Sequence, residues 1–283
     1  MQLEFPWALG PADGRYLVRD AAEVRDAAEA SPTHVLVLAT LGAPERRRLR
    51  ERRRGGRVVA AEPPPTPVTT GRATVIDAAP VSPAEAERWL AASGPADAER
   101  ALAVVARAVR AHRVASADSH VHEPALAQAL VVRAGYGAGE QVADGRWSAA
   151  RELAPRDGGR RRRVAALRPQ ERLAALLGGH AEALACEELA LRARDDLDRG
   201  RLPEAALQLR AALDAALAEL PRDGAGASDM ARRIDELRER RPAVERLVRA
   251  ALDGTPPGDA AEALGATLQR LESALRARIA GMR

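Results

Sequence analysis

The chain has 283 residues, 46% of them hydrophobic but only 2% aromatic, and a formal net charge of +4. Its 44 basic side chains are all arginine, so Schiff-base lysines, P-loop lysines and the kinase strand lysine are excluded. One cysteine, Cys186, excludes an internal disulfide framework.

The same composition weakens any argument from basicity. Phe, Ile, Tyr, Met and Cys are scarce while Ala, Arg, Gly and Pro abound, the profile of the GC-rich coding expected in a GC-rich bacterium. An arginine therefore carries less functional information than usual. Residues 1–155 and 173–283 are close to neutral, and most of the positive excess falls in residues 156–172. No signal-peptide pattern opens the chain, and no uncharged apolar run reaches about 18 residues. A lone cysteine suits a reducing compartment. These features together lead us to expect a cytoplasmic protein with no membrane segment.

In chain order, Tyr16–Val18 is a short apolar run and Ala21–Ala30 has helical spacing. His34–Leu41 is continuous and apolar, as a strand buried on both faces reads. Pro44 opens a predicted helix that ends near Gly55, and Arg57–Ala61 is a further strand. Glu62–Pro67 is a stiff connector, because each proline fixes φ. Arg72–Ala78 is another strand. This alternation predicts a small, mostly parallel sheet.

Ser82-Pro83-Ala84-Glu85 is a capping box that opens a helix through Ala92. Helices are predicted from Asp97 to about Ala115, over Pro124–Arg133 and, briefly, over Gly145–Leu153. Pro155–Arg163 has no apolar residue to pack and reads as a linker. After it, helices are expected over Pro169–Leu177, Ala181–Asp198, Pro203–Leu220 and Asp229–Leu252, the last interrupted at Pro242. In the final helix Leu264, Leu268, Leu271, Leu275 and Ile279 share one face. The predicted organisation is an α/β domain over 1–155, an Arg/Gly linker over 156–167 and an all-α domain over 168–283. That last domain reads as a helical bundle or an array of helical hairpins.

Within it, Leu189, Ala193, Gly200, Ala205, Leu209 and Ala212 fall at the large, small and turn positions of a helical hairpin. Residues 186–219 thereby resemble one tetratricopeptide repeat, which implies a TPR-like hairpin used in protein binding. Arg192 and Asp196 depart from that pattern, Pro221 comes late, and no second repeat follows. A generic helical hairpin fits the same residues.

Few residues carry a chemical signal. Asp118-Ser119-His120-Val121-His122-Glu123 alternates ligand types and resembles the opening motif of metal-dependent hydrolase barrels. Its predicted context, a helix before and Pro124 after, favours a polar turn, and no metal is expected. Gly135–Glu140 has GxGxG spacing without the strand that a phosphate loop needs in front of it. The Thr40–Pro44 loop would lie at the crevice of a doubly wound sheet, where an anion could meet a helix N-terminus. The acidic pairs Glu187-Glu188 and Asp195-Asp196 are expected to pair with arginines, and Cys186 to be a small buried hydrophobe. Arg46, Arg47, Arg50, Arg53, Arg54, Arg160, Arg161, Arg162 and Arg163 could contact nucleic-acid phosphates, without the aromatic interleaving that stacks bases.

No catalytic set and no cofactor site is legible. The expected function is a non-enzymatic protein-interaction or regulatory protein with a helical binding module and a protein partner. The alternatives are a nucleic-acid-associated protein using the arginine runs, and an enzyme acting on a phosphorylated small molecule at the Thr40–Pro44 loop.

Overall fold

The computed structural model describes residues 1–19, 32–42, 68–153, 169–220 and 227–281. They divide into two compact units, Met1–Asp157 and Gly158–Arg283.

The first unit is built on six described strands: β1 (Gln2–Phe5), β2 (Gly14–Val18), β3 (His34–Leu41), β4 (Thr70–Asp77), β5 (Val131–Tyr136) and β6 (Ala149–Glu152). Their order is β2-β3-β4-β1-β5-β6, and all five pairings are antiparallel. The expected mostly parallel sheet is therefore wrong. Strand β1, which the sequence reading passed over, enters between β4 and β5 and sets that order. Its alternation of Gln2 and Glu4 with Leu3 and Phe5 was the available signal. The predicted helices over Ala21–Ala30 and after Pro44, and the predicted strand Arg57–Ala61, lie outside the described residues.

Strand β3 forms where expected, but it is not buried on both faces. Leu36 and Leu38 are buried, whereas Val35 and Val37 are only half-buried. One packed face and one more open face is the ordinary state of an antiparallel sheet. The packed face carries Leu3, Phe5, Leu36, Ala73, Val75 and Val132. Against it lies α2 (Pro95–Ser116), which contributes Ala98, Ala101, Val105 and Val109 at helical spacing. Helix α1 (Pro83–Ala92) begins as its capping box requires: the Glu85 N–H donates to Ser82 Oγ at 3.4 Å, and the Ser82 N–H donates to Glu85 Oε2 at 2.9 Å.

The expected helix over Pro124–Arg133 is replaced by a 3₁₀ turn at Leu126–Gln128 followed by β5. The β-branched pair Val131-Val132 favours a strand, and Val132 is needed in the core opposite Leu3. The expected helix over Gly145–Leu153 is likewise a strand, β6. Trp147, on the approach to β6, lies on Gly135 of β5, where any Cβ would overlap its ring.

The second unit is helical, with α3 (Pro169–Leu177), α4 (Ala185–Asp198), α5 (Leu202–Glu219), α6 (Ala227–Leu252) and α7 (Ala260–Gly281). Polar contacts show that α4 to α7 run up-down-up-down. Glu219 at the end of α5 meets the start of α4, Asp214 of α5 meets Arg241 of α6 at 2.6 Å, and Arg278 of α7 meets Glu187 of α4 at 3.4 Å. The last helix packs on the first, so the four close into a bundle. Its core is aliphatic, with Leu209, Leu213, Leu237, Leu268 and Leu271 fully buried.

Contrary to the expected interruption, α6 runs through Pro242. Pro242 is exposed, as is Arg238, whose carbonyl loses its helical partner there. Ile234, Leu237, Val244 and Val248, all buried, hold the helix on both sides of it. Their burial offsets the roughly 3 kcal/mol that an internal proline costs.

Candidate functional site

The structure disperses the sequence-predicted sites. Arg46, Arg47, Arg50, Arg53, Arg54, Arg160, Arg161, Arg162 and Arg163 all lie outside the described residues, as do Ala43 and Pro44 of the Thr40–Pro44 loop. The described part of that loop is occupied internally. The Thr40 N–H and hydroxyl donate to the two Asp13 carboxylate oxygens at 2.9 and 2.7 Å. Because the sheet is antiparallel, it has no topological switch point, and the architectural case for a ligand there is lost.

Asp118–Glu123 is an exposed turn after α2. Asp118 Oδ1 accepts the His120 N–H at 2.8 Å, an Asx turn that accounts for the aspartate. Among the described residues, no group of three or more His, Cys, Asp or Glu could hold a metal ion. The Gly135–Glu140 segment does follow a strand, correcting the expected helix. Two of its glycines serve packing: Gly135 makes room for Trp147, and a Cβ on Gly137 would press on Val142 and the Trp147 backbone.

The acidic pairs behave as ion-pair partners. Asp195 meets Arg199 at 2.8 Å, Asp196 meets Arg201 at 2.7 Å, and Glu188 meets Arg192 at 3.0 Å. In the hairpin of α4 and α5, Ala193, Ala205, Leu209 and Ala212 are buried. Gly200 makes the turn with φ of +71°, a left-handed conformation that glycine adopts without strain.

Two features gather at the start of α4, and neither was anticipated. The first is a charge cluster. Glu187 accepts the Leu184 N–H at 3.0 Å, closing the helix start, and the guanidiniums of Arg172 and Arg278 at 2.6 and 3.4 Å. Glu219 accepts the N–H groups of Ala185 and Cys186 at 3.2 and 3.0 Å, and these bonds hold its carboxyl below the usual range. The carboxylates thus cap otherwise unpaired donors at the positive end of the helix. Cys186 is fully buried, and desolvation, followed by the Glu219 carboxylate beside it, pushes the thiol up to about 12. Such a thiol is inert as a nucleophile.

The second feature is apolar. Helix α3 has no buried residue, although it carries Leu173, Leu176 and Leu177. Leu173 is 48% exposed, Leu177 is 79% exposed, and Leu191 on α4 is 68% exposed. The Arg172–Glu187 ion pair, with side chains 24% and 14% exposed, ties α3 to α4. The periodicity of α3 was legible in the sequence. That Leu173 and Leu177 face solvent was not, because an apolar stripe looks the same whether a domain core or another molecule covers it.

No helix among the described residues is long and apolar enough to cross a membrane. Comparison with family models, curated proteins and solved structures finds no match for this chain.

Proposed function

We propose that this chain is a non-enzymatic protein-interaction or regulatory protein, with α3 and the exposed leucine of α4 as its binding surface. One observation carries this: α3 turns Leu173 and Leu177 to solvent and has no fully buried residue. Leu173 and Leu177 lie four residues apart on one helix face, and apolar surface left uncovered in this way can serve as an interaction site. The exposed fractions of Leu173, Leu177 and Leu191 amount to about two leucine side chains. Covering them would supply on the order of 3–6 kcal/mol before the costs of association. The pinned position of α3, held through Arg172 and Glu187, lowers those costs by presenting the leucines on a preorganised helix.

The test is a capture experiment in nuclease-treated native lysate with the wild-type chain and a Leu173→Glu, Leu177→Glu variant. Both side chains are exposed, so far-ultraviolet circular dichroism should not change. Proteins held by the wild type and lost by the variant support the proposal, and identical captured sets refute it. The competing reading, phosphate contacts by Arg46–Arg57 and Arg156–Arg163, predicts instead that capture disappears on nuclease treatment and with rising salt.

A further inference from the structure

Among the described helices of the second unit, α3 is the one without a fully buried residue. It has nine residues, and a helix shorter than about 12–15 residues is marginal on its own, so α3 depends on what it packs against. That support is thin. Arg172, Ala175 and Leu176, spaced three and four apart, form its less exposed face, and all three are only half-buried. Among the described residues, the side chains packed in and on the bundle core come from α4, α5, α6, α7 and the loop residues Leu184 and Leu220, and none comes from α3. The helix ends at Gly178-Gly179, both exposed, where Gly179 has φ of +70° and a Cβ would meet nothing within 4 Å. Two exposed glycines in succession form a joint that can absorb a change of direction.

The ion pair that ties α3 to α4 is built so that it can be undone. Arg172 Nη2 donates to Glu187 Oε1 at 2.6 Å, and Arg278 Nη1 of α7 donates to the same oxygen at 3.4 Å. The other oxygen, Oε2, accepts the Leu184 N–H at 3.0 Å. When α3 departs, Glu187 therefore keeps Arg278 and the Leu184 N–H, and Arg172 passes to water. The carboxylate is not left stranded, and the heavy penalty for removing one partner of a buried pair is avoided. Arg278, 11% exposed, is already in place on α7 to take over. Without it, the same departure would strip Glu187 of both cations.

We propose that α3 is a releasable arm, which folds and detaches as one unit while Glu187 passes from Arg172 to Arg278. The inference rests on the reading of α3 as the binding surface and adds its regulation: the preorganised surface lasts only while Arg172 holds Glu187. Leu173 and Leu177 share a face only on the formed helix, so a partner covering them draws the arm to its helical, docked state. Hydrogen exchange followed by mass spectrometry tests this in the free full-length chain, as wild type, Arg172→Gln and Arg278→Gln. In the wild type, amides of residues 173–177 should exchange faster than those of α4 to α7. Arg172→Gln should speed them about tenfold or more, the worth of a hydrogen bond between charged groups, and leave the amides of α5 unchanged. Arg278→Gln removes the competing cation, leaves Glu187 to Arg172 and should slow them about two- to fivefold. A purely structural cluster would loosen α3 in both variants, and that outcome overturns the proposal. So does exchange of 173–177 in step with the bundle, or no change with Arg172→Gln. No partner enters the measurement, so its failure is distinct from a failure of the capture experiment.

Discussion

Gly135→Ala should destabilise the first unit although it adds only a methyl group. An ideal Cβ at Gly135 meets Cε3, Cδ2 and Cζ3 of Trp147, all closer than 3.0 Å. These atoms belong to a rigid ring that cannot give by a few tenths of an ångström. The ring must swing away and release the hydrogen bond from Trp147 Nε1 to the Val142 carbonyl at 3.1 Å. Overpacking of this kind costs about 1–3 kcal/mol, and the lost hydrogen bond about 0.5–1.5 kcal/mol. Alanine recovers about 0.4–1 kcal/mol by restricting the unfolded chain. The net expectation is a loss of about 1–3 kcal/mol. The assay is simple because Trp7, Trp89 and Trp147 all lie in the first unit and the second has no aromatic residue. Urea unfolding followed by tryptophan fluorescence therefore reports the first unit in the intact chain. A Trp147→Ala background, in which Trp7 and Trp89 still report, is the control. There Gly135→Ala should become neutral or stabilising, since the clash is gone. A penalty of equal size in both backgrounds would refute the reasoning.

Three further outcomes are expected. Leu271→Ala, at a fully buried position in the bundle, should cost about 2–5 kcal/mol, read from helical circular dichroism on urea unfolding, with little change in tryptophan fluorescence. Glu219→Ala removes the acceptor of two N–H groups at the start of α4 and should cost about 0.5–2 kcal/mol in the same assay. Cys186 should resist a thiol reagent at pH 8 and react at the rate of unfolding. Its thiol ionises near 9 when unfolded and near 12 when folded, so the native state holds the extra proton between those values. Stability should therefore fall as pH rises above about 9, and a Cys186→Ala variant should lose that dependence.

The helical unit was legible because its information is local. The leucine spacing of α7 and the Gly178-Gly179 stop after α3 each act within a few residues, and the structure has them where the sequence puts them, as it does the Ser82–Glu85 capping box of the first unit. The sheet was not legible in the same way. His34–Leu41 announced a strand, but nothing within it records that its partners are β2 and β4, both antiparallel. Val131–Tyr136 became a strand because a neighbour at Leu3, far away in the chain, needs Val132 beside it. The same division holds for the candidate sites. Ion pairing of Glu188 with Arg192 follows from a spacing of four on one helix. The exposure of Leu173 and Leu177, the capping of α4 by Glu219 and the meeting of Glu187 with Arg278 join residues remote in sequence or depend on what is left uncovered. Periodicity and capping are energies of a single segment and can be read from that segment. Strand order and solvent exposure depend on which segments meet, so only the folded chain decides them.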